Sequence, residues 1–168
     1  MQLGPEALRF ALAQGLPAVI EVTGGSMAPT IAKGARVDVV ALGADERLEA
    51  GDVVLVATRG AVLLLHRVMS TFVDEGAAYV VHQGDARAST FAIAARADVL
   101  ARMTGLAGQA RPLPTVDAAA RARFVRRRLA VEGFLAARRL TRALHLQDRP
   151  FVRRCARLYR RITGADLE

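Results

Sequence analysis

Short runs of aliphatic and β-branched residues recur along the first part of the chain, and their lengths are typical of strands. The first run, residues 19–23, leads into Gly24-Gly25, which is a turn signal. Arg59-Gly60 separates two later runs closely enough to predict a hairpin. The other predicted strands cover residues 37–41, 53–58, 61–69, 78–82 and 98–103.

The order of these runs favours an antiparallel sheet. No helical patterns alternate with the strands, as a doubly wound parallel sheet would require. Residues 4–14 predict a short helix, because Leu8 and Leu12 lie four apart on one helical face. We therefore expect a mainly β fold: a coiled, barrel-like, mostly antiparallel sheet with a short N-terminal helix and a C-terminal helical appendage.

The pattern changes after residues 109–114, which contain two prolines and predict a linker. Beyond them, apolar residues recur at helical spacing with arginines mostly between them, and a second amphipathic helix is predicted from Phe151 to Ile162. The chain thus divides into a domain of residues 1–110 and an Arg-rich helical extension of residues 111–168. The apolar positions that predict the first helix of this extension are Val125, Leu129, Gly133, Ala137, Leu140 and Leu144.

Charge is unevenly distributed along the 168 residues, whose net charge is +8. Residues 111–168 hold 15 arginines against five acidic residues, whereas residues 1–110 are nearly neutral. The basic helices could lie on an anionic membrane surface, pack on the domain or on another subunit, or bind an acidic partner or nucleic acid. No clear helix-turn-helix signature is present, so specific nucleic-acid binding is not predicted.

Cysteine usage and hydropathy favour a cytoplasmic location, with peripheral membrane contact left open. The single cysteine, Cys155, cannot form an internal disulfide. The N-terminal segment carries one basic residue, and its apolar run is interrupted, which is not typical of a secretory signal. No run of roughly 18 apolar residues predicts a transmembrane helix.

Ser26 lies in the most informative stretch of the sequence, GGSMAPTI. A serine that leaves a strand through two glycines has an exposed hydroxyl, and the N–H groups of Gly25 and Ser26 can meet a bound carbonyl. These are the requirements of a serine nucleophile and its oxyanion site. Taken alone, however, Gly-Gly-Ser is more often an ordinary turn.

Further motifs follow in one order across roughly residues 19–105: Gly-x-Ser-Met-x-Pro-Thr-Ile at residues 24–31, Gly34 before a strand, Gly51-Asp52-Val53-Val54, His66-Arg67-Val68 and Gly84-Asp85. This ordered set resembles the signal peptidase and LexA-like superfamily of serine peptidases. This resemblance implies that Ser26 is the catalytic nucleophile.

His66 occupies the position at which members of the superfamily carry their general base. Bacterial signal peptidases and LexA-like proteins use a lysine there, whereas the archaeal and endoplasmic-reticulum signal peptidases use a histidine in a similar Val-His-Arg-Val element. Lys33 is the only lysine of this chain and lies seven residues after Ser26, outside the dyad position. Arginine stays protonated and cannot serve as a base. His66 is therefore the expected base.

Asp85 resembles the aspartate of the Lys-Gly-Asp-Asn element in the histidine-using group, which implies that it orients and stabilises the imidazole. Gln83 and Ala86 depart from that element, so a simple turn role for Asp85 stays open. We expect His82 to be a structural residue, with a second functional histidine as the less favoured alternative. No metal-ligand spacing is present, and no cofactor is predicted.

The resemblance implies an endopeptidase that binds its peptide or protein substrate as an extended strand, against edges near residues 19–23 and 62–65. The expected substrate contacts are Val22, Thr23, Met27 and Leu64. Family members usually prefer small residues before the cleaved bond. Two other interpretations stay open: a self-cleaving regulator like the LexA-like repressors, and a catalytically inactive peptide-binding module of the same fold.

Overall fold

The computed structural model describes residues 5–58, 62–86, 91–107 and 118–144. Within these ranges the fold is mainly β, as the sequence predicts. One seven-stranded sheet accompanies a short N-terminal helix and a longer C-terminal helix. The elements are α1 (Pro5–Ala13), β1 (Ala18–Glu21), β2 (Arg36–Ala41), β3 (Val53–Ala57), β4 (Leu63–Asp74), β5 (Ala77–Gln83), β6 (Phe91–Ala95), β7 (Val99–Leu106) and α2 (Ala118–Ala143), with a 3₁₀ turn at Arg96–Asp98.

The strands follow the order β1-β2-β7-β3-β4-β5-β6, and every neighbouring pair is antiparallel. The sheet is not closed, because β1 and β6 are both edge strands. The expectation of an antiparallel sheet is thus confirmed. The expected barrel-like closure is not seen, because the two edge strands do not pair with each other. The order places β7, the last of the described strands, between β2 and β3, so the two halves of the sheet are joined by a long-range pairing.

Two features of the strands differ from the prediction. β4 continues to Asp74 rather than ending at residue 69, and β6 was not predicted. Ser70 and Thr71 break the apolar run in β4, but its hydrogen bonds continue into a hairpin with β5 that turns at Glu75-Gly76. Gly76 has a φ of 80°, a conformation that glycine adopts readily. In β6 three alanines make the apolar pattern too weak to indicate a strand by themselves.

The largest core cluster lies under β1, β2, β3 and β7. Leu8 and Leu12 of α1 are buried in it, as their four-residue spacing predicts. Met27 and Ile31, in the segment between β1 and β2, are also buried there, at 0% and 1% exposure. Because both side chains are held in the core, residues 28–30 between them have a fixed position against the sheet, and so does Ser26, which immediately precedes Met27.

Helix α2 packs on β4 with a face other than the one that its sequence pattern indicates. Val131 and Leu135 are buried at 1% and 3% exposure, in a cluster with Met69, Phe72 and Val81 of the sheet. The apolar positions that predict the helix lie on its outer side instead, where Val125, Leu129, Leu140 and Leu144 are between 49% and 67% exposed. The sequence pattern therefore predicts the helix correctly, but the apolar face that it identifies is the exposed side of the helix rather than the packed side.

Polar contacts also tie α2 to the sheet. Ser70 donates a 2.7 Å hydrogen bond to Glu132, and Arg138 forms an ion pair of 2.7 Å with Asp74. The Arg138 guanidinium also lies 5.8 Å from the centroid of the Phe72 ring. Of the three interpretations of the basic extension, packing on the domain therefore applies to α2.

In the described part of the chain, no helix combines the length and apolar character needed to cross a membrane. Three predictions fall outside the described residues: the connection at Arg59-Gly60, the linker at residues 109–114, and the helix from Phe151 to Ile162 with Cys155. The pairing of β3 with β4 agrees with the hairpin predicted around that connection.

Candidate active site

Ser26 begins a compact turn that follows β1. The Ala28 N–H donates to the Gly25 carbonyl at 3.1 Å, and the Ile31 N–H donates to the Met27 carbonyl at 2.9 Å. The burial of Met27 holds this turn against the core, while Gly24 and Gly25 are exposed and Ser26 is half-buried. The local sequence thus places exposed glycines beside a core anchor, and the serine lies at the boundary between them.

The Ser26 turn lies directly against the turn that follows β5. The Ala86 N–H donates a hydrogen bond of 2.8 Å to the Ser26 carbonyl. This contact brings together two motifs that are 60 residues apart in the sequence. Asp85 therefore lies next to the serine that the sequence predicts as a nucleophile.

Asp85 is engaged by Arg67, the residue that follows His66. Arg67 donates from Nε to Oδ1 at 2.9 Å and from Nη2 to Oδ2 at 2.7 Å, and its Nη1 donates to the Gly51 carbonyl at 2.8 Å. The two side chains are only 9% and 16% exposed, so this is a buried, bidentate ion pair. Neither carboxylate oxygen forms a hydrogen bond with His66 in the described residues.

The partner of His66 is His82. The two Nδ1 atoms are 3.0 Å apart, and the ring centroids are 5.2 Å apart with an angle of 47° between the planes. The strand register explains the contact: Val68 of β4 pairs with His82 of β5, and His66 lies two residues before Val68 on the same face. The residues are thus diagonal neighbours across the β4–β5 ladder.

Burial keeps both imidazoles neutral near pH 7. Burial lowers the pKa of His66 from its usual 6.5, and the nearby Asp85 carboxylate opposes this shift. Burial, with a smaller effect from His66, lowers the pKa of His82 to about 4. A neutral His66 has a lone pair that can accept a proton, as a general base requires.

No hydrogen bond joins the Ser26 hydroxyl to His66 within the described residues. In serine enzymes without a bound substrate, such bonds are often long and tighten only in the complex. The Ser26 N–H also makes no hydrogen bond to any part of the chain that the structure describes. It is therefore available as a donor.

Lys33 is exposed, on the turn that precedes β2.

The four expected substrate contacts differ in accessibility. Thr23 is exposed and Leu64 is half-buried, whereas Val22 is 8% exposed and Met27 is fully buried. The backbone of Val22 is also occupied, because its N–H donates to the Ala35 carbonyl and its own carbonyl accepts from the N–H of Gly34. In this conformation, Thr23 and Leu64 are the two of these side chains that a substrate could reach.

Two strand segments near the site offer unpaired backbone. β1 is an edge of the sheet. In β4, pairing with β5 begins only at Arg67 and Gln83, so residues 63–66 are hydrogen-bonded to β3 on one side and have no partner strand on the other among the described residues. Open strand edges of this kind can bind an extended peptide by β-augmentation.

A cavity of about 350 Å³ lies between α2 and the turns of the site. Pro29 and Thr30 line one side, Arg67 and Asp85 another, and Phe124 and Arg127 of α2 a third. Arg127 also donates to the carbonyls of Gly84 and Ala86, both at 3.3 Å. Helix α2 therefore braces the turn that carries Asp85.

The contact of His82 with His66 is not foreseen from the sequence, where a structural role is favoured for His82 over that of a second functional histidine. The sequence feature that could have revealed this contact is the β4–β5 hairpin, because a turn at Glu75-Gly76 brings the residues around position 66 close to those around position 83. The hairpin can be recognised only once β4 is known to continue to Asp74, and a register shift between Val68 and Ser70 changes the pairing further.

In the described residues, no group of three or more histidine, cysteine or acidic side chains is arranged to hold a metal ion. The chain matches no protein-family model, and neither a curated protein nor a solved structure matches it.

Proposed function

We propose that this protein is a serine endopeptidase of the signal peptidase and LexA-like type, in which Ser26 is the nucleophile and His66 the general base. The observation that carries the proposal is the 2.8 Å hydrogen bond between Ala86 and Ser26. It joins the predicted nucleophile to the turn of Asp85, whose charge acts on His66. Three motifs that are distant in the sequence therefore converge.

In the proposed reaction, the Ser26 Oγ attacks the carbonyl carbon of the scissile peptide bond. Its proton passes to His66, and the Ser26 N–H, together with that of Gly25, donates to the oxyanion. His66 then protonates the leaving amine. A water molecule, deprotonated by the same imidazole, hydrolyses the acyl-enzyme and regenerates Ser26.

Asp85 contributes through charge and position in this mechanism. Its carboxylate favours the imidazolium form of His66, which develops when the serine proton is transferred. Its ion pair with Arg67 also holds the turn that meets Ser26. The role is therefore supporting, as the resemblance implies, although the hydrogen bonds of Asp85 go to Arg67.

The substrate binds as an extended strand in this proposal. The edge strand β1 and residues 63–66 of β4 supply unpaired backbone groups, and Thr23 and Leu64 contact the substrate side chains. The order of the motifs, the antiparallel sheet and these open edges support a fold of the signal peptidase and LexA-like kind.

The test uses a fluorophosphonate probe, because this reagent reports a serine nucleophile without knowledge of the substrate. The Ser26 oxygen forms a bond to phosphorus, fluoride leaves, and the proton passes to His66. We expect peptide mass spectrometry to locate the adduct on Ser26 in the wild type. Ser26→Ala should abolish labelling, and His66→Gln should slow it by about 10²- to 10⁴-fold.

Lys33→Met is the matched control, since it removes the only lysine and, with it, any Ser-Lys dyad. Its labelling rate should equal that of the wild type. Labelling that survives His66→Gln but is lost in Lys33→Met would identify Lys33, rather than His66, as the base. Absence of labelling at Ser26 in a folded wild type would favour an inactive binding module. Cleavage within the chain itself, lost in Ser26→Ala, would identify a self-cleaving regulator.

A further inference from the structure

The hydrogen bond between His66 and His82 has a direction that the proposed function determines. A neutral imidazole has one N–H donor and one acceptor nitrogen. With the two Nδ1 atoms 3.0 Å apart, one of them must carry the shared proton. The tautomer of each ring then determines what its Nε2 atom can do.

Only one direction is compatible with His66 as the base. Its Nδ1 is already engaged by His82, so a serine proton must be accepted at Nε2. Nε2 has a free lone pair only when the proton of His66 is on Nδ1. In that tautomer Nδ1–H of His66 donates, and Nδ1 of His82 accepts.

We propose that His82 is the positioning residue of the active site: its Nδ1 accepts the Nδ1–H of His66 and thereby directs the lone pair of Nε2 towards Ser26. This inference rests on the proposed function. It assigns to a neutral histidine the orienting role that a carboxylate has in the Ser-His-Asp arrangement.

Asp85 does not compete for this role in the described structure. Both of its oxygens are hydrogen-bonded by Arg67, so its carboxylate acts on His66 through charge rather than through a hydrogen bond. Orientation and charge stabilisation, which one aspartate supplies in a Ser-His-Asp enzyme, are divided here between two residues. His82 holds the ring, and Asp85 favours its protonated form.

Burial makes His82 suitable as an acceptor. At 2% exposure it has little access to water, and its pKa of about 4 keeps it neutral near pH 7. A protonated His82 would have a donor on both nitrogens and would repel a charged His66. Among the described residues, the titratable groups that act on His66 are His82, through the contact between the Nδ1 atoms, and Asp85, which is paired with Arg67.

Two substitutions of His82 separate the hydrogen bond from simple packing. In His82→Leu the acceptor is lost, and we expect Ser26 to react with the fluorophosphonate about 10- to 100-fold more slowly. The loss should be smaller than the roughly 10⁴-fold cost of a wrong tautomer in a Ser-His-Asp enzyme, since Asp85 remains. His82→Gln supplies a side-chain carbonyl acceptor and should recover most of the rate.

The second readout is the tautomer of His66, measured by ¹⁵N NMR of the histidine rings in the folded, full-length wild type at pH 7. We expect the proton of His66 on Nδ1 and that of His82 on Nε2. In His82→Leu this preference of His66 should weaken, and the pH profile of labelling should shift. A structural role alone would leave the profile unchanged.

Three results would overturn the proposal. These are a proton on Nε2 of His66 in the wild type, equal labelling rates in His82→Leu and the wild type, and no recovery in His82→Gln. If Ser26 is not labelled at all, the proposed function fails and the positioning role fails with it. The NMR measurement still shows, without any catalytic assay, whether the hydrogen bond has the proposed direction.

Discussion

At the residue scale, the Arg67–Asp85 ion pair connects several turns of the candidate site. Arg67 forms hydrogen bonds to Asp85 and Gly51, and the turn of Asp85 is bonded in turn to Ser26 and to Arg127. One buried guanidinium thus connects three turns. Removing either partner would leave the other charge uncompensated in a buried place, which is costlier than losing both.

A double-mutant cycle tests this connection. We expect Asp85→Asn and Arg67→Met each to lower the free energy of unfolding by about 3–5 kcal/mol, since each leaves a buried polar group without its partner. The double variant should lose much less than the sum of the two, as measured by urea unfolding.

Additive losses in that cycle would show that the two side chains act independently. The matched control is taken from the ion pair of Arg102 with Glu46, whose side chains are each 33% exposed. Glu46→Gln removes the carboxylate that Arg102 contacts, and this change should cost about 1 kcal/mol or less, because water screens the pair.

At the element scale, α2 has two apolar sides, and only one of them is packed against the part of the chain that the structure describes. Leu135 lies in the cluster on the sheet, while Leu129 is 67% exposed on the outer side. Arginines flank both sides, so neither charge nor spacing alone distinguishes the packed face in the sequence. The two apolar sides of α2 are distinguished only by contact with the sheet in the folded chain.

Two leucine substitutions on this helix measure the difference. Leu135→Ala should lower the free energy of unfolding by about 2–5 kcal/mol, because it leaves a cavity against the sheet. Leu129→Ala is the matched control and should change it by no more than about 0.5 kcal/mol. Urea unfolding followed by circular dichroism provides both values, and equal costs would contradict the assigned face.

At the scale of the whole molecule, the two buried histidines link stability to pH. The folded-state pKa of His82, about 4, lies below its usual value of 6.5, so the unfolded chain binds a proton in the range between them and the folded protein does not. The contribution of His82 to stability is therefore complete above pH 6.5 and is lost as the pH decreases towards 4.

We expect His82 to account for a loss of about 3 kcal/mol in the free energy of unfolding between pH 7 and pH 4. Urea titrations of wild type and His82→Gln at several pH values measure it, because the acidic groups common to both proteins cancel in the comparison. The variant should show a shallower dependence on pH. Parallel curves would contradict a buried, neutral His82.

Much of the fold follows from local patterns in the sequence. Five of the strands and α1 are predicted within a few residues, and β4 and α2 are predicted in part, because apolar periodicity and glycine turns depend on neighbouring residues only. The candidate site is proposed largely from the sequence: Ser26 is predicted from its glycines and motif, and Lys33 is set aside as a base because it lies outside the dyad position that the resemblance implies. Strand β6 and the full length of β4 are not foreseen, since their patterns are weak without their partner strands.

Residue type and spacing are enough to predict the mainly β class of the fold and the turn at Ser26, and the resemblance to the histidine-using signal peptidases implies histidine rather than lysine as the candidate base. Which side chains meet depends on the folded chain. The β4–β5 register places His82 against His66, the fork of Arg67 engages Asp85, and the sheet selects the buried face of α2. Each of these depends on contacts between distant segments, where a shift of one residue in strand register would direct a side chain to the opposite face.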